Sequence, residues 1–206
     1  MLSIKNSSVM NLENAIRGAR NPMNSWERSD SYYDENGAYI LAENDLLLAK
    51  KLCKAGSDHR KFLRQILVCV DITAPLYWWK EFDTYKVGTV VNSTSTMHKI
   101  HSQKFDLQQF SCDEMSGNSR EKMSLLIAYL EELRVNYNTT KDKQSWYDII
   151  QLLPSSYNQL RTCTLNYEVL VNIYCSRKNH KLNEWHVFCD YIKNLPYAND
   201  LIIIGE

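Results

Sequence analysis

Residues 73–95 read TAPLYWWKEFDTYKVGTVVNSTS and contain the clearest structural signals in the chain. Pro75 suits the first position of a helix, where the N–H that proline lacks has no partner to lose. The predicted helix carries charged side chains among five aromatic ones, Tyr77, Trp78, Trp79, Phe82 and Tyr85. Gly88 ends the helical signal, and a polar run over 92–96 follows. The pattern favours either a wall that binds a flat polar ligand or a buried amphipathic helix with a polar loop after it.

The composition is that of a neutral globular chain. It has 206 residues, with 24 Lys plus Arg and 24 Asp plus Glu, so its formal net charge is zero. This length is enough for one domain with a real core or for two small ones, and with 44% apolar residues we expect one globular domain over 1–206. A neutral chain has no general electrostatic attraction to nucleic acid or to a membrane surface. We also expect no membrane span and no signal peptide, because no apolar run approaches ~18 residues.

Six cysteines, none of them in a C-x-x-C pair, lie mostly within apolar runs. We expect small buried hydrophobic residues of a cytoplasmic protein rather than a disulfide framework. His98 and His101 lie three residues apart, but no further metal ligand follows at a usable spacing. The sequence therefore predicts hydrogen-bonded or solvated histidines there, and no metal site.

The spacing of apolar residues predicts an α+β fold. Helices are predicted at 10–20, at 44–55 with Asn44 or Asp45 as its cap, from 75 onward, and at 120–135, 146–153, 167–175 and 183–195. Strands are predicted near 62–72 and 158–166, in the same small, mostly antiparallel sheet. The other segments are a mobile or ligand-covering loop at 23–42, a polar linker at 136–143, and an apolar tail at 201–204 that forms a strand or meets a partner subunit.

The stretch at 73–95 resembles the signature region of the flavin-dependent thymidylate synthases, the ThyX family. In that family an Ala-Pro-apolar-aromatic start leads to Arg-His-Arg and then to Asn-Glu-x-Ser-x-Arg. Residues 74–77, Ala-Pro-Leu-Tyr, match the start. Asn92 and Ser95 match the Asn and the Ser of the second motif when one extra residue is allowed between Lys86 and Asn92.

From residue 153 to 177 the resemblance continues without a gap. The matching residues are Leu153, Pro154, Thr164, Asn166, Leu170, Asn172 and Arg177. In the family both asparagines contact the flavin, and the arginine contacts the uracil ring of dUMP. The residues by themselves leave simpler roles open, because Asn166 also suits a helix cap and Arg177 a solvated helix C-terminus.

The resemblance implies an enzyme that methylates dUMP to dTMP. In the family, reduced FAD carries a methylene group from methylenetetrahydrofolate, NADPH is the reductant, and the ligand sites lie between the subunits of a homotetramer. Carried over, Arg177 is the catalytic residue, and Lys86, Asn166 and Asn172 bind FAD. The implied substrate-binding residues are Lys80, Glu81, Asn92, Ser93, Ser95 and Arg161.

Several departures from the family pattern remove positive charge. Residues 84–86 read Thr-Tyr-Lys in place of Arg-His-Arg, Met97 replaces the last Arg, and Ile150 replaces an Arg before Leu-Pro. Ser93 also replaces the Glu. The cations that remain to compensate are Lys80, Lys86, Lys99, Arg161 and Arg177.

Because lysine binds phosphate with less directional control than arginine, we expect slow conversion of dUMP, or none. Three functions remain open: a divergent flavoenzyme, a non-catalytic ThyX-fold protein that binds a nucleotide or a partner, and a structural homo-oligomer.

Overall fold

The computed structural model describes residues 2–204, and in it helices surround a small sheet. The strands are β1 Ser3–Met10, β2 Tyr32–Tyr33, β3 Tyr39–Ile40, β4 Leu67–Pro75, β5 Val90–Ser93 and β6 Asn158–Asn166. The helices are α1 Leu12–Arg20, α2 Glu43–Lys54, α3 Leu76–Phe82, α4 Gly117–Thr140, α5 Lys143–Leu152, α6 Tyr167–Arg177, α7 Asn183–Lys193 and α8 Ala198–Leu201. No helix among these residues is long and apolar enough to cross a membrane.

The main sheet has four strands in the order β1-β4-β6-β5. The protein has a small antiparallel sheet with helices around it, which confirms the predicted α+β class. The two predicted strands are β4 and β6, which are neighbours in this sheet, as expected. A separate hairpin pairs β2 with β3 in antiparallel register, with Tyr32 opposite Ile40 and Tyr33 opposite Tyr39.

The chain divides into two compact units. The first comprises residues 2–3, Asp71–Thr84 and Asn92–Thr162. In it α4 packs on α5. The buried side chains of α4 recur every three or four residues, at Met123, Ile127, Leu130 and Leu133, as one apolar helical face requires.

Helix α3 belongs to the core of the first unit. Trp78, Trp79 and Phe82 are buried, and their ring centres lie 4.9–5.2 Å apart. The indole Nε1 of Trp79 donates to the backbone oxygen of Gln159 at 3.0 Å. The buried-helix interpretation is therefore confirmed for these three rings. Pro75 is the last strand residue and the N-cap of α3, one position earlier than expected.

The second unit comprises Ile4–Val70, Tyr85–Val91 and residues 163–204. In it α6 packs on α7, and α1 on α2. A buried ion pair links α1 and α2, with Nε of Arg20 2.6 Å from Oδ1 of Asp45. Arg20 also donates to the backbone oxygens of Ser25 and Arg28, so one guanidinium holds the segment between α1 and the β2–β3 hairpin.

Several boundaries differ from prediction. The polar, mostly exposed strand β1 was not predicted, because it lacks apolar alternation. Helix α4 continues to Thr140, so the expected linker at 136–143 is wrong. The tail at 201–204 is not a strand: Leu201 is the last residue of α8, and Leu201 and Ile202 are buried. Residues 60–65 form a 3-10 helix ahead of β4.

The expected cap of α2 is also wrong. Asp45 lies inside the helix, and the backbone N–H groups of Asn44 and Asp45 donate instead to the carboxylate of Asp30, at 2.8 and 3.1 Å. The cysteines follow prediction in part. Cys53, Cys112, Cys163 and Cys189 are buried, Cys69 is half-buried, Cys175 is exposed, and all six are free thiols.

Candidate functional site

Arg177 lies in a cluster of aromatic side chains in the second unit. Its Nε donates a hydrogen bond to the hydroxyl of Tyr85 at 2.9 Å. The guanidinium carbon lies 4.7 Å from the ring centre of Trp185 and 5.6 Å from that of Tyr85. Because Arg177 is half-buried, the alternative of a freely solvated arginine is wrong. The Tyr85 hydroxyl and the neighbouring Trp185 ring restrict the guanidinium, which is the preorganisation that a ligand-binding cation needs.

Asn166 is the cap of α6, which is the simpler role that the sequence left open. Its Oδ1 accepts the backbone N–H of Val169 at 3.0 Å, and the residue is 8% exposed. Gly88 lies against the same amide with a φ of 80°. A Cβ added to Gly88 would lie 2.8 Å from Nδ2 of Asn166, so the loop can approach the helix this closely only with glycine there.

The other two residues predicted to bind FAD are exposed in the same unit. Lys86 lies just before Gly88, and Asn172 lies on the outer side of α6. An ammonium group suits a phosphate, and a primary amide suits the edge of a heteroaromatic ring. Lys86 and Asn172 are therefore the exposed members of the predicted FAD set, while the oxygen of Asn166 is already used by the helix.

Arg161, a predicted substrate ligand, is engaged within the first unit. Its Nη1 lies 2.8 Å from the carboxylate of Asp83, and its Nε donates to Oε1 of Gln159 at 3.0 Å. The guanidinium carbon also lies 4.3 Å from the ring centre of Trp79. A ligand phosphate would have to compete with the Asp83 carboxylate for this cation.

The remaining predicted substrate residues also lie in the first unit. Lys80, Asn92 and Ser93 are exposed, and Glu81 is half-buried on α3. The exposed Ser95 closes a tight turn. Its Oγ accepts the backbone N–H groups of Met97 and His98, at 3.1 and 2.9 Å. Of the six predicted substrate residues, only Ser95 lines the large cavity of this unit.

That cavity has a volume of about 750 Å³ and lies wholly within the first unit. Ser95 contributes to its lining together with Thr94, Lys99, Arg120, Tyr157 and Asn158. The volume lies within the range of about 300–1,000 Å³ that small-molecule sites have. Sequence reasoning missed Arg120 and Asn158. The signal for Arg120 was a cation placed in the first turn of a long helix, where acidic residues are usual.

Within residues 2–204 the cavity offers no reactive thiol, although one cysteine lines it. Burial raises the pKa of the Cys112 thiol, so this lining residue stays protonated near neutral pH. Across residues 2–204 no group of three or more His, Cys, Asp or Glu side chains could hold a metal ion. His101 packs half-buried against Tyr137, with ring centres 4.9 Å apart.

The predicted site residues thus fall into two groups. The substrate set Lys80, Glu81, Asn92, Ser93, Ser95 and Arg161 lies in the first unit. The catalytic and cofactor set Lys86, Asn166, Asn172 and Arg177 lies in the second.

The architecture is that of the flavin-dependent thymidylate synthases of the ThyX type. Thymidylate synthase X from Helicobacter pylori, solved with FAD and dUMP, matches with a TM-score of 0.70 and 18% sequence identity, covering 98% of this chain and 97% of that one. A second structure of flavin-dependent thymidylate synthase ThyX from Helicobacter pylori, also with FAD and dUMP, has a TM-score of 0.68 and 16% identity, covering 100% and 99%. No protein-family model and no curated protein sequence matches the chain. At this level of identity the likeness establishes a ThyX-like fold.

Proposed function

We propose that this protein is a divergent flavin-dependent thymidylate synthase-like protein that binds FAD and a pyrimidine nucleotide such as dUMP. One observation carries the proposal: in a chain with a ThyX-like fold, the half-buried Arg177 at the end of α6 is held by the Tyr85 hydroxyl and the Trp185 ring. A rigidly held guanidinium suits the carbonyl oxygens of a uracil ring, which it can meet with parallel N–H groups.

For the flavin, the groups available are the ammonium of Lys86 and the amide of Asn172, both exposed in the unit that contains Arg177. Lys86 would meet the phosphates and Asn172 the ring or the ribityl chain. Bound FAD would supply the redox and one-carbon chemistry, with methylenetetrahydrofolate and NADPH as the other reactants.

The proposal is tested by flavin retention. Purified protein is incubated with excess FAD, dialysed, and examined by visible absorption. We expect a yellow protein, and loss of the colour in the Lys86→Ala/Asn172→Ala double variant with an unchanged circular dichroism spectrum, because both side chains are exposed. Wild-type protein that retains no flavin would overturn the flavoprotein proposal.

A second candidate function is a nucleotide-binding or interaction protein without turnover. It is favoured by the engagement of Arg161 with Asp83 and by Met97, whose thioether cannot neutralise a phosphate. We therefore expect little or no conversion of dUMP to dTMP. The measurements are growth of a thymidine-requiring bacterial strain that carries the gene and tritium release from labelled dUMP with FAD, NADPH and methylenetetrahydrofolate. Robust growth and release would exclude the second candidate.

A further inference from the structure

The tip of the β2–β3 hairpin carries the one Asn-Gly pair in the sequence, Asn36-Gly37. Both residues are exposed, and a Cβ added to Gly37 would have no heavy atom within 4 Å. Because glycine has no side chain, its backbone nitrogen is less hindered than that of any other residue. In this pair the nitrogen follows directly after a side-chain amide, whose carbonyl carbon it can attack. The pair is therefore reactive whenever the backbone brings these two atoms together.

The reaction of the pair needs water and no cofactor. The Gly37 nitrogen bonds to Cγ of Asn36 while the bond from Cγ to Nδ2 breaks, and the proton of the Gly37 nitrogen leaves with Nδ2 as ammonia. The product is a five-membered succinimide ring. Water then opens the ring at either of its two carbonyl carbons. One opening leaves aspartate at position 36, and the other leaves isoaspartate, in which the main chain runs through the former side chain.

In the closed turn this nitrogen is restrained by Asp34. The Gly37 N–H donates to the backbone oxygen of Asp34 at 3.0 Å. The side-chain Oδ1 of Asp34 accepts the backbone N–H groups of Asn36 and Ala38, at 2.9 and 2.8 Å. An N–H that donates to a carbonyl oxygen loses its proton less readily, and the three hydrogen bonds fix the turn. The turn must therefore open before the ring can form.

The hairpin that carries this turn is small. Strands β2 and β3 form a sheet of their own with two residue pairs, Tyr32 with Ile40 and Tyr33 with Tyr39. A two-stranded ribbon of this size is marginally stable in water. Residues 35–38 are exposed, so opening the turn breaks no buried apolar contact there. Such segments open locally without unfolding of the whole chain, which releases the Gly37 nitrogen in the native protein.

We propose that Asn36 is a site of spontaneous modification, which converts to aspartate and isoaspartate in the native protein at a rate set by Asp34. The inference goes beyond the proposed function and depends on no ligand. Four exposed asparagines precede serine, whose Cβ hinders the attacking nitrogen, and they serve as internal comparisons: Asn6, Asn24, Asn92 and Asn118.

The modification changes both the charge and the length of the turn. Each event adds a carboxylate directly after Asp34 and Glu35, so three negative charges follow one another. Isoaspartate also adds one carbon to the main chain of the turn. Because turn geometry fixes the register of a hairpin, the longer turn should weaken the pairing of Tyr33 with Tyr39.

The test follows the amide of Asn36 in the full-length protein. Purified protein is kept at physiological temperature and at several pH values, then digested and examined by mass spectrometry. Replacement of the amide –NH2 by –OH gives the mass change that is measured, and an isoaspartate-specific methyltransferase separates the two products. We expect faster conversion at Asn36 than at Asn24 or Asn118. The rate should rise with pH, because the Gly37 nitrogen must lose its proton.

Two matched variants test the role of Asp34. Asp34→Ala removes the carboxylate that accepts two backbone N–H groups of the turn. Glu35→Ala removes the neighbouring exposed carboxylate, which has no hydrogen-bond or ion-pair partner within residues 2–204. We expect Asp34→Ala to convert at least about fivefold faster than the wild type, because the turn opens more often. Glu35→Ala should keep the wild-type rate. Wild-type protein unfolded in urea gives the rate without the turn.

Two results would overturn the proposal. If Asn36 keeps its amide in the folded protein while the urea-unfolded chain converts, the native protein is not modified at this site. If Asp34→Ala and Glu35→Ala convert at the same rate, Asp34 does not control the reaction. Neither result bears on flavin retention, so the proposed function stands or falls separately.

Discussion

Gly88 and Gly37 have nearly the same backbone conformation in very different surroundings. Their φ angles are 80° and 79°, but an added Cβ would press on Asn166 at Gly88 and would have no heavy atom within 4 Å at Gly37. We expect Gly37→Ala to lower the free energy of unfolding by about 1–2 kcal/mol, the usual cost of a left-handed alanine. Gly88→Ala should cost more, because the amide must also move. Urea denaturation measures both, and equal losses would contradict the close approach.

Substitutions at Asn166 can separate its role as the cap of α6 from its predicted contact with the flavin. Asn166→Asp keeps an oxygen that can cap α6, whereas Asn166→Ala removes it and should cost about 1 kcal/mol of stability. If the amide also meets the flavin, Asn166→Asp should lose FAD affinity while its melting temperature stays close to that of the wild type. Full FAD affinity in a stable Asn166→Asp protein would limit Asn166 to the structural role.

Single residues were predicted from the sequence mainly where their role is local. The cap at Asn166 follows from a short polar side chain before an apolar helix. The engagement of Arg161 does not, because Asp83 lies 78 positions away in the chain. The same holds for Arg177, whose contact with Tyr85 spans 92 positions. Such pairs depend on the tertiary fold, and no periodicity indicates them.

At the scale of elements, α1 and α2 depend on one buried carboxylate. Asp45 is fully buried and accepts hydrogen bonds from Arg20, Ser29 and Ser31. Burial alone would raise the pKa of Asp45, but these hydrogen bonds outweigh it and hold the pKa below its usual value. A depressed pKa stabilises the fold above the unfolded value near ~4, and that stability is lost as pH falls through the folded value.

Asp45→Asn should therefore do two things. At pH 7 it should cost about 3–5 kcal/mol of unfolding free energy, because it leaves the Arg20 guanidinium buried without its counter-charge. As pH falls below about 5, toward and through the depressed pKa of Asp45, the stability of the variant should fall less steeply than that of the wild type. Thermal denaturation at a series of pH values measures both effects. Parallel curves for the two proteins would show that Asp45 does not titrate as expected.

Helix existence was predicted well, and helix ends less so. The apolar faces of α4 and α7 recur at helical spacing, and both helices were expected. The last turns of α4 carry polar side chains that suit either a linker or a solvated helix, so the sequence alone could not place its end. The cap of α2 comes from Asp30, which precedes the helix by 13 residues and carries no local signal.

At the scale of the whole molecule, the ThyX resemblance predicts a homotetramer with ligand sites between subunits. We expect size-exclusion chromatography with light scattering to give about four times the 24.1 kDa chain mass at micromolar concentration. A stable monomer that still retains FAD would rule out shared sites. The fold class was predictable because strand and helix signals are local, whereas assembly depends on surfaces that one sequence does not reveal.

The hydrogen bonds from Arg20 to the backbone oxygens of Ser25 and Arg28 limit where extra residues can be inserted in this protein. Residues 25–31 supply partners to a buried ion pair, so a peptide inserted there would break the link between α1 and α2. The hairpin tip at 35–37 is exposed, and Gly37 has open space around it. An epitope tag or a fluorophore-labelling sequence belongs at that tip, where added chain leaves the core contacts intact.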